Sequence, residues 1–374
     1  MQKFSRRTLL GGAGAIGLAS CGRKPKPGFA GYAFVANEEG EAVAAVDLTA
    51  LTLVRHVRLD AAPGPLLSQA QRQRVYALTP SNGNVHDIAV RTLAREQWAA
   101  TGGHGLDMRF GQRQRSLWVL TTEPNQLVEV SLDRLEVRRR IALPAAPVDF
   151  DVALDQPRAV VNLGDTLALI DLESNAIQRF DPGAAISICR FRKDGRQLLA
   201  AHRDENRITS FDVASKRVVV RLPLAVRPRQ LCFKADGGQL FVTGDGLDAV
   251  VILFPYQTEV AETVLAGRAP GAMNVSAATT ETPEYLFVTN PQSSQVTILD
   301  IESRKVVAVA NVGTEPSHVA VTPDNQYALV LNRKSGDMAV LLVQSTARRT
   351  RFPPALLTMI PVGSKPVNAV VQAV

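Results

Sequence analysis

The sequence predicts an all-β chain folded as a β-propeller of eight four-stranded blades, and three observations lead there. The first is a four-residue signature that ends a strand and recurs eight times. It reads Phe34-Val35-Ala36-Asn37, Tyr76-Ala77-Leu78-Thr79, Trp118-Val119-Leu120-Thr121, Ala159-Val160-Val161-Asn162, Leu199-Ala200-Ala201-His202, Phe241-Val242-Thr243-Gly244, Phe287-Val288-Thr289-Asn290 and Leu329-Val330-Leu331-Asn332. Successive starts lie 40 to 46 residues apart, a near-constant period that marks a repeat fold. The second observation is that each period holds about four short apolar strands between turn compositions, the content of one propeller blade. The third is that the two ends are complementary. The first copy, from Tyr32 to Leu59, lacks an opening strand, and Pro366-Val367-Asn368-Ala369-Val370-Val371 supplies one with nothing after it. Pairing them closes the ring and removes the exposed sheet edges. A seven-bladed ring with one degenerate copy, 143–180, is the alternative.

Within each period the strands are read in order. An opening strand often follows proline, as in Pro147-Val148-Asp149-Phe150, Pro228-Arg229-Gln230-Leu231 and Pro316-Ser317-His318-Val319. The signature strand comes next. A further strand then ends on an apolar-Asp-apolar triplet: Val46-Asp47-Leu48, Ile170-Asp171-Leu172, Phe211-Asp212-Val213 and Leu299-Asp300-Ile301. The last strand is β-branched, as in Val218-Val219-Val220 and Val306-Val307-Ala308. Gly, Asn, Asp and Pro between these runs supply the turns. The clearest stretch is Val312 to Val343, where Thr322-Pro323-Asp324-Asn325 and Asn332-Arg333-Lys334-Ser335-Gly336 separate three apolar strands.

Phe287-Val288-Thr289-Asn290, Val296-Thr297-Ile298-Leu299-Asp300 and Thr322-Pro323-Asp324-Asn325 resemble the YVTN-type β-propeller repeats of bacterial envelope and surface-layer-like proteins. The resemblance covers Tyr32 to Val374. It implies a propeller in the cell envelope and says little about activity, because propellers host many unrelated functions. Its wider cousins include the haem d1 propeller of a nitrite reductase, lactonase-like propellers and quinoprotein-type propellers.

The start of the chain is set apart as an address. Residues 1–20 join a short basic region to a Gly/Ala-rich apolar run, the layout of an export signal. The pair Arg6-Arg7 resembles a twin-arginine signal, with Leu9 in place of its usual Phe and Gly11 in place of its usual Lys. Leu18-Ala19-Ser20-Cys21 resembles a bacterial lipobox, which implies lipidation of Cys21 and anchorage to a membrane, facing the periplasm or exterior. Residues 21–31 are then a basic, Pro-rich tether and 32–374 the propeller. After the signal no stretch approaches the roughly 18 uninterrupted apolar residues of a membrane span.

Composition is that of a globular protein, with 46% hydrophobic and 21% charged residues. The net charge of +7 falls to +4 without residues 1–20, which hold Lys3, Arg6 and Arg7 and no acid. No Lys/Arg stripe is interleaved with aromatics, so nucleic acid is not an expected partner. Cys189 and Cys232 sit at neighbouring positions of equivalent strands and are expected to face opposite ways as free thiols.

Chemistry is expected at the channel mouth, where the opening strands begin. Asp107, Asp149, Gln230, His318 and Asn368 share one repeat position and form a candidate polar ring there. Carboxylate, amide and imidazole converging from separate blades suit a divalent metal or an oriented ligand. The competing reading is that they satisfy backbone groups. His104, in a Gly-rich inter-blade loop, and His202, at the end of a signature, are expected on the same face, as are Arg227, Arg229 and Arg268, whose guanidinium groups suit an anionic ligand or acidic loop. His56 and His86 are directed away from this face and have no assigned role. The segment 344–355, with Arg348, Arg349 and Arg351, belongs to the opposite face.

No zinc-type Cys/His spacing, phosphate loop, Gly-x-Ser-x-Gly elbow or CxxCH motif is present, and two tryptophans cannot supply a quinoprotein-type repeat. The expected function is therefore a non-catalytic, lipid-anchored envelope scaffold. It is expected to be a monomer with no cofactor, binding a protein or small ligand at the channel mouth. The alternative is a cofactor- or metal-dependent enzyme, either a lactonase-like hydrolase or a haem d1-related protein with His318 or His104 as axial ligand.

Overall fold

The computed structural model describes residues 28–277, 283–343 and 356–374. Residues 1–27, with Arg6, Arg7 and Cys21, and the segment 344–355 lie outside them. The described residues form thirty-two strands, β1 to β32 in chain order, in eight four-stranded antiparallel sheets. The ring is eight-bladed, and no blade is degenerate enough to drop out.

Blade 1 is closed by both ends of the chain. β32 (Pro366–Ala373) pairs with β1 (Gly31–Asn37) from Gly31↔Ala373 to Ala36↔Asn368, followed by β2 (Ala42–Asp47) and β3 (Thr52–Arg58). Blades 2 to 8 take four consecutive strands each, from β4 (Leu66–Gln69) to β7 (Ala94–Ala100) in blade 2 up to β28 (Pro316–Val321) to β31 (Leu356–Pro361) in blade 8. The first strand of each set lies innermost.

The core follows from the alternation of side chains across a strand. A propeller blade is apolar on both faces, so its signature strand is apolar throughout. Phe34 and Ala36 pack toward blade 2 with Val75, Ala77 and Ile88, whereas Val35 packs toward blade 8 with Leu329 and Met338. One buried apolar cluster fills each of the eight gaps between neighbouring blades.

Blade 4 requires a correction. Val160 faces blade 5 while Ala159 and Val161 face blade 3, the reverse of the pattern elsewhere. The signature there begins at Val160, one residue later than its apolar run suggests. A one-residue slip exchanges the two faces, and in four consecutive small apolar residues the sequence carries no mark of which face is which.

The recurrent Asp of the third strand is explained by its turn. Asp47 Oδ1 accepts the Thr49 and Ala50 amides, Asp171 those of Glu173 and Ser174, and Asp212 and Asp300 those of Ser215 and Ser303. These Asx-type turns pre-form the reversal into the outer strand. The reversal ends in the left-handed region at Leu51, Leu93, Leu135, Asn175, Lys216, Thr258 and Arg304, with φ between 49° and 63°. Cys189 and Cys232 are both free thiols, as expected.

Candidate functional site

The site is the central channel and its mouth, built from the inner strands. β8 (His104–Phe110), β12 (Asp149–Val152), β20 (Arg227–Phe233), β28 (Pro316–Val321) and β32 each begin at the mouth. Asp107, Asp149, Gln230, His318 and Asn368 pair with the third signature residue of their blades, once blade 4 is counted from Val160. The sequence-derived ring is therefore a real register position. In the other three blades the position holds Pro65, Ile188 and Ala272, so the ring is broken by apolar residues.

The polar members are largely committed to neighbouring blades. Asp149 Oδ2 accepts the backbone amide of Cys189 at 2.8 Å and Arg190 Nη1 at 2.7 Å, both on β16 (Ile186–Phe191) of blade 5. His318 Nε2 lies 3.2 Å from the Ala369 carbonyl on β32. Since a carbonyl only accepts, Nε2 carries the proton and donates it. Burial lowers the His318 pKa, so the imidazole is neutral and Nδ1 keeps its lone pair. Asp107 Oδ1 accepts the adjacent Met108 amide, and Oδ2 pairs with Arg109 at 2.8 Å.

Two residues deeper, the same strand faces carry a charged arc that the sequence reading missed. Asp151 Oδ2 accepts the Phe191 amide at 2.8 Å, Arg190 binds Asp149, and the Arg109 guanidinium lies over the Phe150 ring at 5.8 Å. Enclosure by the blades raises the Asp107 and Asp151 pKa values, with Arg109 and Arg190 working against the rise. Burial opposes the Arg190 charge, but Asp149 and Asp151 outweigh it and hold the guanidinium firmly protonated. Farther round the ring, Asn274 Nδ2 of blade 7 donates to the Val319 carbonyl of blade 8 at 3.0 Å. The available signal was the i+2 rule: Arg109, Asp151 and Arg190 follow the ring position by two residues and so share its face.

The remaining candidates do not join this arc. His104 is the first residue of β8 rather than a loop residue; Nδ1 lies 2.9 Å from the Ser81 carbonyl, and Nε2 is 3.6 Å from Glu123. His202 is wholly buried and its Nε2 lies 2.8 Å from Thr209 Oγ1, so it is a strand-to-strand bridge instead of a group at the mouth. His86, also buried, meets Asp60 at 2.9 Å. Arg229 is taken by Asp245 at 2.7 Å, Arg268 is exposed, and the buried Nε of Arg227 has no partner, so the arginines form no paired clamp. Gln230 is exposed and Asn368 half-buried. Among the described residues no three His, Cys, Asp or Glu side chains gather at metal-binding spacing, so the ring does not assemble into a metal site.

A groove of about 550 Å³ lies on the mouth face between blades 8 and 1, lined among others by Glu39, Glu315, Arg333, Lys334 and Lys365. Arg333 pairs with Glu38 at 2.6 Å and Lys365 with Glu39. Its Asn-Arg-Lys-Ser-Gly turn was legible as a turn, but the groove needs the ring to bring Lys365 and Glu39 beside it.

This geometry defines an eight-bladed β-propeller whose channel wall carries an arc of paired charges. No family profile and no curated protein sequence matches the chain. Solved structures do match it in fold. A dihydro-haem d1 dehydrogenase, NirN, in complex with DHE is 15% identical, with a TM-score of 0.75 over 91% of this chain and 75% of that one. The periplasmic gluconolactonase PpgL of Pseudomonas aeruginosa is 16% identical, with a TM-score of 0.60 over 91% and 98%. The β-propeller domain of Cps50 (Swd1) from Myceliophteria thermophila is 12% identical, with a TM-score of 0.58 over 74% and 95%. At these identities the likeness is one of fold, and three such different proteins sharing it means the fold selects no activity.

Proposed function

We propose that this protein is an envelope-anchored propeller scaffold, tethered through lipidated Cys21, that presents its mouth face and the groove between blades 8 and 1 to a protein or small ligand. One observation carries the reading. The groups best suited to chemistry in the channel, Asp149, Asp151 and His318, spend their hydrogen bonds on the backbone of the next blade. A catalytic acid, base or ligand needs a free atom directed at substrate. These groups instead hold blade to blade, and the mouth face keeps the charged groove for recognition.

A second reading draws on the neutral His318, whose Nδ1 lone pair is not used by the Ala369 contact. It is the one imidazole on the ring able to accept a metal or haem iron, and the fold likeness to NirN, solved in complex with DHE, is compatible with a haem d1-type ligand there. The residues fit a multiply ligated metal poorly, because among the described residues no group of three or more His, Cys, Asp or Glu side chains gathers at metal-binding spacing.

Native mass spectrometry of the protein recovered from its host's envelope tests both. The expected mass is that of the lipidated chain beginning at Cys21, with a partner retained on mild extraction and lost from the Arg333→Glu/Lys334→Glu variant. A mass increment matching a metal, haem or organic cofactor, abolished by His318→Ala, overturns the scaffold reading in favour of the second.

A further inference from the structure

The outer strands differ around the ring in a way that the fold alone does not require. In seven blades the register between third and fourth strand slips by one residue, leaving a β-bulge near the start of the outer strand. The extra residue is Val54 in blade 1, Glu96 in blade 2, Arg138 in blade 3, Val219 in blade 5, Ala261 in blade 6, Val307 in blade 7 and Leu357 in blade 8. Bulges turn an edge strand away from unwanted pairing, a role for which charged residues serve well. Blades 2 and 3 follow that rule. Blades 1, 5, 7 and 8 break it: Val54, Val219, Val307 and Leu357 are 52%, 46%, 46% and 46% exposed, and of these blades 7, 8 and 1 are consecutive around the ring.

The surrounding residues extend the pattern. β27 (Lys305–Asn311), β31 (Leu356–Pro361) and β3 contain no acid, and expose Val306, Val309, Leu356 and Met359 as well as the bulge residues. Lys305, Arg55 and Arg58 are the exposed cations on the same strands. β3 packs directly beside β31, so the faces of blades 8 and 1 are continuous. Apolar side chains fringed by cations, with no acid, are the composition of a surface that rests in the headgroup region of an anionic bilayer.

The position of the chain's start selects the occupant. The described chain begins at Gly28, packed against Leu48 and Thr49 in the turn between β2 and β3, and the Phe29 carbonyl accepts the Thr49 hydroxyl. The chain therefore leaves blade 1 at the foot of this same outer face. Cys21 is seven residues before Gly28, and seven residues span at most about 25 Å. An anchor at Cys21 holds the outer strands of blade 1 and its neighbours within that distance of the lipid, while blades 3 to 5 lie across the ring.

We infer that the outer face of blades 7, 8 and 1 docks on the membrane surface, so that the propeller lies on its side with this arc against anionic headgroups. The inference rests on the lipid-anchor reading of Cys21. In this orientation the groove between blades 8 and 1 opens along the membrane plane, within reach of a membrane-bound partner.

Tryptophan quenching by brominated lipid tests it on the anchored full-length protein in phosphatidylethanolamine/phosphatidylglycerol bilayers. In a Trp98→Phe background, where buried Trp118 is the constant reference, Leu357→Trp is compared with Arg138→Trp on blade 3. The expected result is at least threefold stronger quenching and a blue-shifted emission for Leu357→Trp. Equal quenching at the two positions overturns the docking. So does a Leu357→Trp probe that is shielded without quenching and cross-links to a second copy, which marks the face as a self-association surface. Failure of the anchor itself is read separately, as protein that does not sediment with membranes and lacks lipid mass at Cys21.

Discussion

His202, Asn290 and Thr79 occupy the same signature position, and each bonds the third-strand residue seven places on: Thr209 at 2.8 Å, Thr297 at 2.8 Å and His86 at 3.4 Å. The imidazole of His202 is thus one of several side chains that serve a common bridge. Burial, with Arg207 nearby, lowers its pKa to about 4. An unfolded histidine titrates near 6.5, so between these values the unfolded chain binds the extra proton and the fold loses stability as pH falls. His202→Asn, which places Asn290's amide chemistry at this site, is expected to stay within about 1 kcal/mol of the parent at pH 7. It should flatten the stability curve between pH 6.5 and 4 by up to about 1.4 kcal/mol per unit, measured by urea unfolding across that range. Asp149 makes the contrasting case. Asp149→Ala removes the acceptor of the Cys189 amide and the anion facing Arg190, both enclosed in the channel wall. A loss of about 3 kcal/mol is expected by denaturant unfolding. A stability change below about 0.5 kcal/mol would show that Asp149 is not a structural tie.

At the scale of the element, the turn between third and outer strands is the most repeated device in the molecule. Its Asp and its left-handed closing residue recur from blade to blade, yet the sequence displays only the Asp. The left-handed position is filled by Leu, Asn, Lys, Thr and Arg, because burial of Leu93 and Leu135 against the core matters more there than backbone preference. Thr258 gains no such burial and is β-branched at φ 56°, a conformation in which Asn is far more comfortable. Asn175 already holds the equivalent place in blade 4. Thr258→Asn is expected to stabilise by about 0.5–1 kcal/mol and to raise the thermal midpoint in calorimetry. An unchanged or lower midpoint would mean that the Thr258 hydroxyl contact to the Gln257 carbonyl outweighs the strain.

For the whole molecule, closure is the decisive event. β32 is the inner strand of blade 1, made from the last residues of the chain, and it contributes both to the core between blades 8 and 1 and to that between blades 1 and 2. The approach of β1 to β32 is close enough that a Cβ on Gly31 would lie 2.4 Å from the Gln372 carbonyl oxygen and 2.9 Å from the Ala373 Cα. Both are backbone atoms of the closing strand and cannot step aside. Gly31→Val should therefore cost about 1–3 kcal/mol, and hydrogen exchange should show β32 released ahead of the other inner strands. Uniform loss of protection around the ring would place the weak point elsewhere.

The sequence by itself determined the strand order and the closure and favoured eight blades over seven, because a repeat writes the same apolar period eight times and its broken ends declare their partner. It also determined the ring position of Asp107, Asp149, Gln230, His318 and Asn368. Tertiary structure alone decided what those residues do. Whether a polar side chain on an inner strand is free or tied depends on the blade beside it, about forty residues away in the chain. Asp149 to Cys189 and His318 to Ala369 are contacts of that kind. The face of each residue in blade 4 was settled the same way, since a run of small apolar residues fits either register until its two neighbours close around it.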